Sequence, residues 1–203
     1  MAISITLITI SSVIVAYLIG SIPSAVVVSY LMGLPDPRAN GSGNPGATNV
    51  LRLSGKKAAA ITLLGDVLKG FVPVLLVRSY LDSPFIVAAV ALAAFLGHIF
   101  PISLRFRGGK GVSTALGVIA AITWPTALIA LATWLSTVAA FRYSSLAALI
   151  TALLAPIYTG FLTSNLIYTS AIGIIALLII WRHRSNIRKL IAGTETKIGQ
   201  KVR

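Results

Sequence analysis

The sequence contains no cysteine. That excludes a disulfide framework, a thiolate nucleophile and a cysteine-based metal site. Acidic residues are nearly as scarce: 4 Asp+Glu stand against 17 Lys+Arg, for a formal net charge of +13. No carboxylate cluster is available to a metal, and no metal site or cofactor is expected. Neither of the 2 histidines is followed five residues on by an aspartate; Ser103 and Arg188 occupy those positions after His98 and His183. No Ser-His-Asp order with a recognisable context is present. The chain therefore has many groups that can hold phosphate and few that can act as a base.

Charge of any sign is also sparse. Of 203 residues, 10% are charged and 57% hydrophobic, far from the composition of an ordinary soluble domain. In a soluble protein the basic excess would point to nucleic acid. Here most charges lie between apolar blocks, so they mark cytoplasmic loops and suit anionic lipid head groups or anionic substrates, with no nucleic-acid partner. The N-terminus lacks the basic region and cleavage site of a removable signal peptide, so the first apolar block is expected to remain as a span.

A membrane span needs roughly 20 apolar residues. The chain offers Ile3–Leu31, Ala58–Val77 (interrupted by Asp66 and Lys69), Pro84–Leu104, Val112–Phe141 and Tyr143–Trp181. The last is long enough for two spans, with a break around Gly160–Asn165. Val112–Phe141 is long for one and short for two. Charge resolves it. The tail after Trp181 carries Arg182, Arg184, Arg188, Lys189, Lys197, Lys201 and Arg203 against Glu195 alone. It is expected inside, as are the basic segments Arg38–Lys57 and Arg105–Lys110. The nearly neutral loop Arg78–Asp82 fits the outside. A hairpin at Trp124–Pro125 satisfies this parity and puts Arg142 inside as well. The expected fold is an all-α integral membrane protein of one domain with seven transmembrane helices, N-terminus outside and C-terminus cytoplasmic.

The polar residues with chemical potential fall in three segments. The first is Gly41-Ser42-Gly43-Asn44-Pro45-Gly46-Ala47-Thr48-Asn49-Val50-Leu51-Arg52. Asn44-Pro45 reads as an N-cap followed by proline at the first helical position, with free N–H groups aimed at an anion. Thr48 and Arg52, four apart, share a face. The alternative is a plain interfacial turn, an unusual use of so much Gly, Asn, Ser and Thr. The second is Gly108-Gly109-Lys110-Gly111-Val112-Ser113-Thr114, opening an apolar helix. A glycine nest with a lysine at a helix N-terminus is a phosphate cradle in physical terms; it is not a Walker A loop, because glycine follows the lysine and no strand precedes it. The third is Arg182-His183-Arg184-Ser185-Asn186-Ile187-Arg188. His183 and Asn186 share a face, where a site role and a bland one balance; Arg184 and Arg188 read as membrane anchors.

Ionisable groups inside a span are costly and usually functional. Asp66 and Lys69 are three apart and are expected to pair, with the ordering of a loop as a second role. His98 reads as a packing or site residue. Ser144 and Ser145 lie at a cytoplasmic boundary, placed to cap a helix or bind a substrate oxygen.

Together the three segments resemble the bacterial acyl-phosphate:glycerol-3-phosphate acyltransferase family. The matching motifs are GSGNPGATNVLR (Gly41–Arg52), GHIFP through GGKGVSTALG (Gly97–Gly117) and RHRSNI (Arg182–Ile187); Asp66-Val67-Leu68-Lys69-Gly70 adds to them. Ser113 stands where many members have alanine. The resemblance spans nearly the whole chain. It implies transfer of an acyl group from acyl phosphate to the 1-hydroxyl of sn-glycerol 3-phosphate, giving 1-acylglycerol 3-phosphate and phosphate at the start of phospholipid synthesis. Neither coenzyme A nor acyl carrier protein would be the direct donor. It implies a seven-helix fold in the bacterial inner membrane with the site facing the cytoplasm, and a transient contact with the enzyme that supplies acyl phosphate.

Carried over by motif, Ser42, Lys110 and His183 are the catalytic residues. Gly43, Asn44, Thr48, Asn49, Arg52, His98, Gly108, Gly109, Gly111, Ser145 and Asn186 bind substrate, and Asp66 and Lys69 are structural. The base that relieves the attacking hydroxyl is either His183 or the substrate's own phosphate. An acyl-Ser42 intermediate lacks an evident neighbouring base. A transporter for an anionic solute and a lipid-binding scaffold are the competing classes; the ionisable groups gather at one membrane face, which disfavours the first, and the glycine loops are unexplained by the second.

Overall fold

The computed structural model describes residues 2–81 and 83–200, and for residues 2–5 the backbone alone. Asp82, Lys201 and Arg203, which enter the charge argument, lie outside the described residues. The described chain is all helical: α1 Ala2–Gly20, α2 Ser24–Leu31, α3 Ala47–Tyr80, α4 Pro84–Ile99, α5 Val112–Ile122, α6 Trp124–Phe141, α7 Ser144–Thr163, α8 Leu166–Arg182 and α9 Arg184–Ile191, with a short 3-10 turn at Ile102–Leu104. Among the described residues, four helical segments are long and apolar enough to cross a bilayer, or six if the bent pairs α1–α2 (46°) and α8–α9 (58°) each count as one. The shorter helix α5 supplies a further apolar segment of 11 residues.

Departures from the sequence expectation are local and have physical reasons. The first apolar run bends at Ser21–Pro23, because proline cannot donate into the ladder there. Helix α3 starts at Ala47 with Gly46 as its extended N-cap, not at Asn44-Pro45. The Asn44 carbonyl instead accepts the Gly46 N–H in a tight turn. Gly55, at φ +85°, kinks α3 and separates its first two turns from the membrane part; a left-handed residue of this kind favours glycine. The α5–α6 hairpin turns at Thr123, one residue before Trp124-Pro125. The α7–α8 break falls at Ser164-Asn165, where the Asn165 side chain caps α8 by accepting from Ile167 and Tyr168.

Lipid tails give helices no hydrophobic reason to associate, so small residues that permit close approach carry much of the packing. At Gly117 of α5 a Cβ would collide with the Val67 carbonyl of α3, and at Gly97 of α4 with the Tyr17 carbonyl of α1. Short α5 ends inside the bundle, and Arg78 of α3 donates to its final carbonyls at Ala121 and Ile122, satisfying groups that would otherwise be orphaned in an apolar setting. The core around Phe95, Ile99, Val118, Ile122, Ile172 and Ile175 joins α4, α5 and α8. On this scaffold α3, α5, α7 and α8–α9 converge at the end of the bundle where the glycine loops lie.

Candidate functional site

One cavity of about 510 Å³ opens where those helices converge. Its mouth is polar: Ser42, Asn44, Thr48, Arg52, Lys110, Ser145, His183 and Asn186 line it. Its depth is apolar, walled by Leu63 and Val67 of α3, Leu116 and Ile119 of α5, Ala130, Leu131 and Trp134 of α6, Ala148, Ala152 and Ala155 of α7, and Ile172, Ile175 and Ile179 of α8.

The first turns of α3 deliver Thr48 and Arg52 to the same wall, as their spacing requires. Thr48 Oγ1 lies 3.3 Å from Ser144 Oγ. Arg52 Nη2 donates to the Thr196 carbonyl at 3.1 Å, while its buried Nε has no partner. An unpaired buried donor is expensive unless a ligand meets it. Helix bonding starts with the Asn49 and Val50 N–H groups on the Gly46 carbonyl. The N–H groups of Ala47 and Thr48 precede that ladder beside the cavity, a natural place for an anion.

Gly111, at φ +87°, is the N-cap of α5 and turns the chain so that Lys110 enters the cavity. Lys110 Nζ donates to Asn186 Oδ1 at 2.6 Å. Asn186 Nδ2 and Ser145 Oγ both donate to Glu195 Oε1, at 2.8 and 2.6 Å. Burial draws the Lys110 ammonium down to about 8; the Glu195 carboxylate opposes this and nearby Arg52, Lys189 and Arg182 reinforce it. His183, between α8 and α9, gives its Nδ1 to the Ile179 carbonyl at 2.8 Å. That fixes the proton on Nδ1 and leaves Nε2 as an acceptor. Burial first, then the charge of Lys110, push His183 down to about 4, so it is neutral at physiological pH.

The comparisons with known proteins follow the same outline. Residues 10–193 match the family model described as glycerol-3-phosphate acyltransferase. The chain belongs to that family. It is 58% identical over 188 residues to a glycerol-3-phosphate acyltransferase of Thioalkalivibrio sulfidiphilus, covering 93% of each chain. Identity to the protein of that name from Halorhodospira halophila is 56%, covering 92% of this chain and 95% of the other. A crystal structure of PlsY (YgiH), an integral membrane glycerol 3-phosphate acyltransferase in its glycerol 3-phosphate form, superposes with a TM-score of 0.89 at 40% identity, covering 94% of this chain and 96% of that one. The lysophosphatidic acid form of PlsY gives 0.87 at 39% identity, with 94% and 95% covered.

Not every site residue read from the family motifs reaches this cavity. Gly43, Gly108 and Gly109 do not line it, whereas Asn49, His98 and Gly111 do. The carbonyls of Gly108 and Gly109 accept from Arg182 at 2.7 and 3.1 Å. Asn49 is buried and spends its amide on the first loop: Nδ2 donates to the Pro37 and Asn40 carbonyls, and Oδ1 accepts the Ser42 N–H at 3.0 Å. It shapes the loop that presents Ser42. Arg184 lies over the Trp181 ring at 4.9 Å, outside the cavity, as an anchor should.

Two participants have no site role in the sequence analysis: Glu195, which enters there as a tail charge, and Arg182, which opens the RHRSNI motif. Glu195 is the single carboxylate of a basic tail, and that isolation was the available signal. The motif beginning at Arg182 was the signal for that residue, which turns inward to the glycine loop.

The lowered pKa of Lys110 yields a prediction. Its cation is present below about pH 8 and lost as pH rises through it. Any step of the free protein that captures phosphate should therefore weaken on the alkaline side. A profile of kcat/KM reports the free enzyme and is expected to fall above about pH 8. In Lys110→Arg, whose cation does not titrate in this range, that limb should disappear.

Proposed function

We propose that this chain transfers the acyl group of an acyl phosphate to the 1-hydroxyl of sn-glycerol 3-phosphate, forming 1-acylglycerol 3-phosphate and inorganic phosphate. The observation that carries the reading is the division of a single cavity into a cationic polar mouth and an apolar slot. An acyl phosphate has the same division, and so does the product. Family membership supports glycerol 3-phosphate as the acceptor.

Lys110, Asn186 and Ser145 supply one phosphate seat, and Arg52 with the first N–H groups of α3 supplies another. The acyl chain occupies the slot. Leu63 and Leu131 line that slot while being 46% and 38% exposed, which favours an opening between α3 and α6 towards lipid for the substrate's chain and the product.

The step is a direct displacement. The acceptor oxygen bonds to the acyl carbon, the bond from that carbon to the phosphate oxygen breaks, and the hydroxyl proton ends on the departing phosphate. Phosphate is already a good leaving group, so positioning and charge neutralisation carry most of the catalysis. Neutral His183 accepts a hydrogen bond from the hydroxyl at Nε2 and orients it. Its depressed basicity favours the substrate's phosphate as the final proton acceptor. Among the described residues no base is bonded to the Ser42 hydroxyl, which supports direct transfer over an acyl-Ser42 intermediate.

Seven membrane segments, with α5 completing the six longer ones, and a cytoplasmic site facing the basic loops agree with the charge distribution. The bacterial inner membrane is the proposed location, and the enzyme making acyl phosphate the proposed transient partner. The test is donor choice. Purified protein in lipid should release phosphate from palmitoyl phosphate only when glycerol 3-phosphate is present, and should transfer nothing from palmitoyl-coenzyme A. Equal turnover of the thioester, or release indifferent to glycerol 3-phosphate, contradicts the proposal.

A further inference from the structure

Beneath the polar mouth three ionisable side chains lie buried together, and the reaction as proposed uses none of them. Asp66 and Lys69 of α3 are 3% and 6% exposed, and His98 of α4 is 6% exposed. Lys69 Nζ sits 2.7 Å from Asp66 Oδ1 and donates to the Ile22 carbonyl at 2.9 Å, in the break between α1 and α2. His98 Nδ1 approaches the same Asp66 oxygen at 3.5 Å. Buried ionisable groups in a membrane bundle carry a large desolvation cost and call for a function.

The other side of His98 meets the glycine loop. Its carbonyl accepts the Gly109 N–H at 3.2 Å, and the next carbonyl, of Ile99, accepts the Gly108 N–H at 3.2 Å. A Cβ on Gly109 would collide with the imidazole at Nε2, and one on Gly108 with the His98 carbonyl. From the opposite side Arg182 holds the carbonyls of the same two glycines. The loop is thus held by the main-chain carbonyls of His98 and Ile99 and by Arg182, with the His98 imidazole packed against Gly109 as the side-chain part of the clamp, and the next residue in the chain is Lys110. The absence of Cβ atoms at Gly108 and Gly109 is what lets the clamp close.

We infer that His98 is a positioning residue: it fixes the glycine loop and thereby the Lys110 ammonium, and the Asp66–Lys69 pair, tied to the α1–α2 break, holds the imidazole in place. This assigns His98 a role through the loop instead of on a substrate atom. It rests on the reading of Lys110 as the phosphate ligand. The chain of contacts runs from the bent first helix pair through α3 and α4 to the site.

The test compares His98→Ala, His98→Asn and Asp66→Asn with the wild type in one lipid preparation. Wild-type release of phosphate that depends on glycerol 3-phosphate is the control; its absence would sink the functional reading and leave the clamp to be judged by binding of inorganic phosphate. With that control in hand, His98→Ala should raise KM for the phosphate substrates about tenfold or more with a smaller change in kcat. A loosened loop exposes Lys110 to water and moves it away from Arg52, Arg182, His183, Lys189 and Glu195. The alkaline limb of kcat/KM should therefore shift up, towards the ordinary lysine range near 10. His98→Asn, which keeps a polar group facing Asp66, should recover part of both effects, and Asp66→Asn should reproduce the limb shift. A folded His98→Ala with unchanged KM and an unmoved limb would overturn the inference. So would a loss confined to kcat, which would put His98 on a reacting atom. Loss of the fold in all three variants would assign the cluster to folding and overturn it equally.

Discussion

Lys110→Ala should lower kcat/KM for acyl transfer by about 100- to 1,000-fold, the usual consequence of removing one preorganised donor from a site of developing charge. The lysine is half-buried, bonded to Asn186 and flanked by Arg52 and Arg182. Its removal leaves the Glu195 carboxylate with less compensation and the phosphate seat without its point charge. Lys110→Arg should restore binding better than turnover, because the planar guanidinium spreads the charge and cannot reproduce the contact with Asn186. Steady-state kinetics with acyl phosphate and glycerol 3-phosphate varied in turn check this. Wild-type activity in Lys110→Ala would remove the second motif from the mechanism.

Filling the slot should change which donors are used. Ala152 of α7 is 5% exposed and lines the apolar depth of the cavity. Ala152→Phe places a ring where the acyl chain is proposed to run. Excluding the chain from the slot should lower turnover of palmitoyl phosphate by about 10- to 100-fold, equivalent to roughly 1.4–2.8 kcal/mol. Octanoyl phosphate, which does not reach as deep, should be affected much less. A uniform loss across chain lengths would mean that the ring had disturbed the bundle; no loss with the long donor would mean that the chain lies elsewhere.

The sequence is legible where physics acts locally. Apolar run lengths and the charges between them located the helices, and the one ambiguous run, 112–141, was divided within a residue of its true turn at Thr123. The shared face of Thr48 and Arg52 and the i,i+3 pairing of Asp66 with Lys69 both follow from helical spacing and both are found. The start of α3 was misplaced because Asn44-Pro45 satisfies a helix-entry pattern that the glycine after it overrides; the chain turns once more before Gly46 caps the helix. Glu195 and Arg182 could not be placed from the sequence. Their partners, Ser145 and the glycine carbonyls, are remote in the chain, and in a basic tail each charge reads first as an interfacial anchor. Asn49 shows the converse: a residue inside a site motif whose side chain serves the loop.

Glu195 also bears on how the site is kept in the absence of substrate. Its carboxylate takes hydrogen bonds from Ser145 and Asn186, two of the groups proposed to hold phosphate, and Asn186 in turn holds Lys110. An internal anion among cationic and polar donors keeps those side chains ordered, which lowers the entropy a substrate must remove on binding.

The central claim is that one cavity holds the phosphate of an acyl donor at its mouth and the acyl chain in its slot. The direct measurement is a structure of the protein in lipid with a non-hydrolysable palmitoyl phosphonate. The account predicts the phosphonate within hydrogen-bonding distance of Lys110 Nζ and the alkyl chain against Ala152 and Ile175. A phosphonate bound outside the mouth, against Arg142 and Lys197, or a chain lying on the lipid-facing surface with the slot empty, would contradict it.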